Sequence, residues 1–271
     1  MFLSPKLSQR NRPVPSQSPA TPQGVLPYRA SRRDPRFSYC LYLPPGDQST
    51  DPGPLLVLVH DSERDAAGWR DRFMHFARQA GVALMAPLFP AGLPDPRDWE
   101  NFADLQRGSV HFDQALLAMV DEVVAEYGVD ERFLLFGFGA GGSFAQRFGL
   151  CYPERLRALS VAAPAGLSLP DPGLDWPVGV GGVAEHLGVE MRWGALQKLA
   201  VHLVVGAETP ASDQENPTPG ASVAEAQQLS QAYWRRGVAV RLDIVPGVHR
   251  CVQALIPASQ VFFRRVLRDE A

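Results

Sequence analysis

Cysteine is scarce in this chain. Cys40, Cys151 and Cys251 are the only three thiols in 271 residues, an odd number with no C-x-x-C pair among them. That usage disfavours a disulfide framework and a zinc site alike. The histidines show no H-x-x-x-H or other ligand spacing, so no metal is expected. There is no excess of positive charge either. Lys and Arg number 26 against 29 Asp and Glu, a formal net charge of −3, which offers no electrostatic hold on nucleic acid or an anionic membrane. No apolar run reaches the roughly 18 residues of a membrane span. Met1-Phe2-Leu3-Ser4-Pro5-Lys6 lacks the apolar core of a secretory signal. A cytoplasmic protein is the expectation, with no cofactor implied.

What the chain does hold is an ordinary globular balance, with 45% hydrophobic and 20% charged residues, enough to bury a full core. Residues 1–24 are rich in Pro, Ser and Gln and read as a flexible N-terminal extension. Residues 25–271 read as one domain, with order beginning near Tyr28. Strands are expected over 38–43 and 55–60, the second a continuous apolar run that ends on His60. Buried parallel strands look like this, and ligand sites gather at their C-terminal ends. Trp69, Phe73 and Phe76 mark an amphipathic helix over 65–79 that stops at Gly81. A strand over 82–86 ends at Pro87. A helix over 111–127 presents Leu116, Met119, Val120, Val123 and Tyr127, and closes at Gly128. Further strands are expected over 133–138, 158–163, 200–205 and 238–245, with helices over 222–236 and from Pro257 onward. The alternation predicts an α/β fold, a mostly parallel sheet with helices on both faces. The Gly-, Pro- and Trp-containing segment 166–189 interrupts it and reads as a cap or pocket wall, with Trp176 as its aromatic lining residue.

One stretch organises the rest. The apolar run Phe133-Leu134-Leu135-Phe136 breaks into glycines and resumes as a helical pattern through Tyr152. Strand, sharp turn and helix make the context of a nucleophile elbow, G-x-S-x-G. Here the frame is Gly137-Phe138-Gly139-Ala140-Gly141, and the nucleophile position holds glycine. Ser143 lies about one turn further along, some 5–6 Å away, and Cys151 about three turns away, where a packed core role is expected.

Val57-Leu58-Val59-His60, Ala86-Pro87-Leu88-Phe89-Pro90 and the elbow frame together resemble the α/β-hydrolase superfamily over about residues 35–270. They are most similar to bacterial esterases and polyhydroxybutyrate-depolymerase-like proteins. The resemblance implies a chain order of nucleophile, acid and histidine, each after a strand. It assigns Gly139 to the nucleophile position, Glu208 to the acid with Asp213 as the alternative, and His249 to the base. The implied oxyanion hole is the backbone N–H of Ala140 and that of Ser62, with His60 and Asp61 beside the substrate pocket. Many relatives read His-Gly where this chain reads His60-Asp61-Ser62, and the Asp61 side chain is expected to point outward. The implied partner is a small-molecule ligand or ester-like substrate. Three readings stand open: a hydrolase disabled at its nucleophile, a pseudoenzyme that binds a small ligand, and a non-nucleophilic catalyst with His249 as general base.

Overall fold

The computed structural model describes residues 22–45, 53–99, 101–208, 220–248 and 251–269. The expected N-terminal extension lies almost wholly outside them. Eight strands form one sheet in the order β1-β2-β4-β3-β7-β8-β9-β10. They are β1 (Gly24–Ala30), β2 (Ser38–Leu43), β3 (Leu55–Val59), β4 (Ala83–Leu88), β7 (Phe133–Phe138), β8 (Leu156–Ala162), β9 (Ala200–Glu208) and β10 (Val240–Val248). A separate two-residue hairpin pairs β5 (Gln106–Arg107) with β6 (Val110–His111). β1 and β2 are antiparallel to their neighbours, and from β4 to β10 every pairing is parallel.

Helices cover both faces because β3 and β7 are apolar at every position and must bury both sides. On one face α1 (Ala66–Ala80) and α7 (Val252–Asp269) pack Trp69, Phe73, Phe76, Leu255 and Phe263 against Leu56, Leu58, Leu134 and Phe136. On the other, α2 (Phe112–Tyr127), α3 (Ala140–Cys151) and α6 (Val223–Arg235) supply Leu116, Met119, Phe144, Phe148 and Tyr233. Segment 166–189 carries α4 (Val183–Leu187), and α5 (Trp193–Leu196) leads into β9. Asp65 caps α1 through the Gly68 N–H, and Gly81 and Gly128 end α1 and α2 in left-handed geometry.

Two prolines sit inside elements that they were expected to bound. Pro87 lies within β4, paired with Tyr39 of β2 on one side. β3 pairs with β4 only as far as Met85, so the missing N–H of Pro87 falls where no ladder needs it. Pro257 is not the start of the last helix but its sixth residue, because Leu255, Ile256, Phe262 and Phe263 bury one continuous face on both sides of it. The late strand runs over Val240–Val248 rather than 238–245, and β1 begins at Gly24, ahead of the expected onset of order.

Candidate functional site

The turn between β7 and α3 consists of the single residue Gly139, at φ 59° and ψ −122°. Its N–H donates to the Ala162 carbonyl at 3.1 Å, and its own carbonyl accepts from the N–H groups of Ser143 and Ala165, each at 3.1 Å. A residue with a Cβ is strained there by about 1–3 kcal/mol, and glycine escapes that strain. The flanking glycines answer to crowding instead. A Cβ on Gly141 would stand 2.2 Å from the His60 carbonyl oxygen and 2.4 Å from that of Val59. The start of α3 is therefore pressed against the end of β3 and the residue that follows it. As the first residue of α3, Ala140 has an N–H with no acceptor one turn back. Strain gathers at this end of the sheet: Arg64 after β3 and Ala163 after β8 have φ of 58° and 41°.

His60 stands differently from the pocket role expected of it. It is fully buried, its Nε2 accepts from the Phe89 N–H at 3.0 Å, and its Nδ1–H donates to the Asp61 carbonyl at 2.7 Å. Burial lowers its pKa to about 4. Both ring nitrogens are committed to backbone, so this neutral imidazole holds the loops after β3 and β4 together and leaves no edge for a substrate. Asp61 is likewise buried, at 6% exposure, and its Oδ1 accepts from the Glu63 N–H at 3.0 Å. The outward orientation expected for it is not found, because the carboxylate folds back into an Asx-type turn. Ser62 is half-buried, and its carbonyl accepts from Arg64 Nη1 at 2.9 Å. Arg64 also donates to the carbonyls of Phe89 and Trp99 and to Asn101 Oδ1. Asn101 in turn donates to the carbonyls of Pro90 and Leu93. The sequence reading missed this brace; a positive-φ arginine leaves no signature in sequence.

Ser143 is fully engaged. Its hydroxyl accepts from the Gly166 N–H at 2.9 Å and reaches the Gly139 carbonyl at 3.5 Å. It ties segment 166–189 to the elbow, a structural task rather than a nucleophile's. Burial pushes the Cys151 thiol up, well away from a reactive thiolate.

Glu208 is the last residue of β9, exposed, with Val248 of β10 as its partner across the ladder. His249, the next residue in the chain, and Asp213 lie outside the described residues. Trp176 is half-buried against the core and lines a cavity of about 460 Å³ together with Asp104, Arg107, Glu185 and His186. No elbow residue lines that cavity.

A buried Ser–His–Asp chain went unread in the sequence, where His202 is only a polar residue inside a strand. His202 Nε2–H donates to Asp243 Oδ2 at 3.2 Å, and its Nδ1 accepts from the Ser160 hydroxyl at 2.9 Å. Ser160 also meets Ser259 of α7 at 2.9 Å, and the Phe262 ring stacks on the imidazole. Ser160, His202 and Ser259 have no exposed surface, so no substrate reaches them. The chain pins α7 to β8, β9 and β10. Among the described residues, no three His, Cys, Asp or Glu side chains gather to hold a metal ion, and no helix is long and apolar enough to cross a membrane.

No protein-family model matches the chain, and no curated protein matches it in sequence. Solved structures do resemble it. The poly(3-hydroxybutyrate) depolymerase LpqC of Bordetella parapertussis superposes with a TM-score of 0.63 at 21% identity, over 84% of this chain and 85% of its own. Poly(aspartic acid) hydrolase-1 of Sphingomonas sp. KT-1 gives 0.62 at 18%, over 83% and 92%. A fluorophosphonate-binding serine hydrolase of Staphylococcus aureus gives 0.57 at 13%, over 85% and 92%. With the strand order, the one-residue elbow and the parallel sheet already in hand, these likenesses lead to one conclusion: the chain has the α/β-hydrolase fold.

Proposed function

We propose that the protein is a hydrolase scaffold whose elbow site binds a small ester-like molecule without forming an acyl-enzyme. The observation that carries this reading is Gly139 at φ 59°, ψ −122°: the turn that displays a nucleophile is built, and its residue has no side chain. Loss of a triad serine removes on the order of 10⁶ in kcat, while binding and oxyanion stabilisation persist. The structures it resembles are named as esterases and depolymerases, which supports an ester-like ligand. Restoration tests the reading. Gly139→Ser and the unaltered protein are assayed with short-chain aryl esters and a serine-directed fluorophosphonate. Turnover and labelling are expected only in Gly139→Ser. If neither protein reacts, the hydrolase lineage of the site has no support.

A second reading has its own observation. Glu208 lies across the ladder from Val248, so the proposed acid stands beside the residue that precedes His249. An acid there orients an imidazole and stabilises its charged form, which suits His249 as a general base acting on substrate or water. Under this reading the unaltered protein turns over substrate and His249→Ala does not. Under the binding reading, ligand affinity survives His249→Ala.

A further inference from the structure

A cleft of about 300 Å³ opens between the turn over 31–37 and the start of α2, within the range of small-ligand sites. It does not share a lining residue with the elbow, the loop after β3 or the ends of β9 and β10. Its sheet neighbour β2 is three places from β7. Phe37, Val110, Ala115 and Leu187 make one apolar side. On the polar side Arg36 is neutralised by Asp34 at 2.6 Å, whereas Arg33 has no ion pair among the described residues.

At His111, which lines the cleft, and its neighbour Asp113 two polar atoms are left over. Asp113 is completely buried; its Oδ2 accepts from the Tyr152 hydroxyl at 2.5 Å, and its Oδ1 has no hydrogen-bond partner. His111 Nδ1 stands 3.8 Å from that oxygen and is equally unpartnered and buried, although 39% of the His111 side chain is exposed. A buried carboxylate oxygen without a donor is costly, and a small turn of the imidazole gives it Nδ1–H. With Nδ1 turned inward, the exposed remainder of the ring is left to the cleft that His111 lines. The cleft thus holds an imidazole, a guanidinium without an ion pair among the described residues, and an apolar wall.

We infer that this cleft is a second binding site, and that it takes a short-chain aliphatic carboxylate. One oxygen pairs with Arg33 and the other accepts from Nε2–H of His111 in its imidazolium form, whose Nδ1–H is held by Asp113, while the aliphatic chain lies against Phe37 and Leu187. Asp113, behind the ring, offsets the imidazolium charge, so that Arg33 leaves one net positive charge for the ligand and a dianion fits poorly. The inference is independent of any chemistry at Gly139.

Butyrate is the probe, with butyramide and inorganic phosphate beside it. Titration is followed by the imidazole ¹H–¹⁵N resonances of His111, assigned by their absence from His111→Gln. Butyrate is expected to shift them saturably in the millimolar range, with butyramide and phosphate markedly weaker. Arg33→Gln, a change at an exposed position, is expected to weaken butyrate about tenfold, the loss of one charge-assisted hydrogen bond. Unmoved His111 resonances, equal response to phosphate, or unchanged affinity in Arg33→Gln would each overturn the assignment.

Discussion

At the scale of the residue, glycines at the elbow answer to two different constraints, and substitution separates them. Gly139 has a backbone angle that L-residues avoid. Gly139→Ala is expected to cost about 1 kcal/mol or somewhat more, a fall in Tm of roughly 2–4 °C, with the fold retained in circular dichroism. Gly141 has no positive φ, but its Cβ would meet two main-chain oxygens at 2.2 and 2.4 Å, one on the residue after β3 and one at its end. Gly141→Ala is therefore expected to cost well over 3 kcal/mol or to leave no folded protein, since overpacking against immobile backbone has no rotamer to relieve it. Equal melting temperatures for the two variants would contradict this division. The serine that restores a nucleophile at 139 carries the smaller of the two penalties, so Gly139→Ser is a practicable experiment.

At the scale of the element, α6 shows what local sequence can specify. Ser222 accepts from the Glu225 N–H at 3.2 Å, and Glu225 accepts from the Ser222 N–H at 2.7 Å, a complete capping box. Ser222→Ala is expected to lower stability by about 1 kcal/mol, read from urea denaturation with an unchanged m-value. Where such signals are local, the sequence reading held: the start of α6 at Ser222, the stops at Gly81 and Gly128, and the elbow strand over 133–138 all stand as expected. It failed where a distant partner decides. Pro87 is tolerated because β3 has ended beside it, and Pro257 because the faces of α7 on either side are buried together. The site divides in the same way. The turn at Gly139 and the start of α3 right after it were legible, being consecutive in the chain. The commitment of His60 to Phe89 and the link from Ser160 through His202 to Asp243 were not, since each joins residues 29 to 42 positions apart.

At the scale of the whole molecule, two buried neutral histidines set how stability answers to acid. Burial lowers the pKa of both His60 and His202 from 6.5 to about 4. His60 faces Arg64 and Asp65 besides its backbone partners, and His202 faces Asp243 and Arg241. The unfolded chain takes up protons at these positions near pH 6.5, while the folded protein refuses them until about pH 4. Between those values the unfolded state binds more protons, so stability falls as pH falls and levels off below about 4. The span of each histidine corresponds to at most about 3 kcal/mol, and less for His202, whose partner Asp243 reaches solvent. Asp243 acts in the same direction at lower pH: burial opposes its charge, but Arg241 and His202 hold its pKa below the usual carboxylate range. Its contribution is therefore lost only as pH drops through that lowered value. Unfolding free energies from urea denaturation at pH 7 and pH 4.5 are expected to differ by several kcal/mol in the unaltered protein. His202→Gln keeps an amide between Ser160 and Asp243 but has no proton to gain. It is expected to start less stable at pH 7 and to lose less on acidification, so that the two curves converge. Parallel curves would mean that His202 contributes nothing to the acid response, and that the pinning of α7 to the sheet is indifferent to its charge.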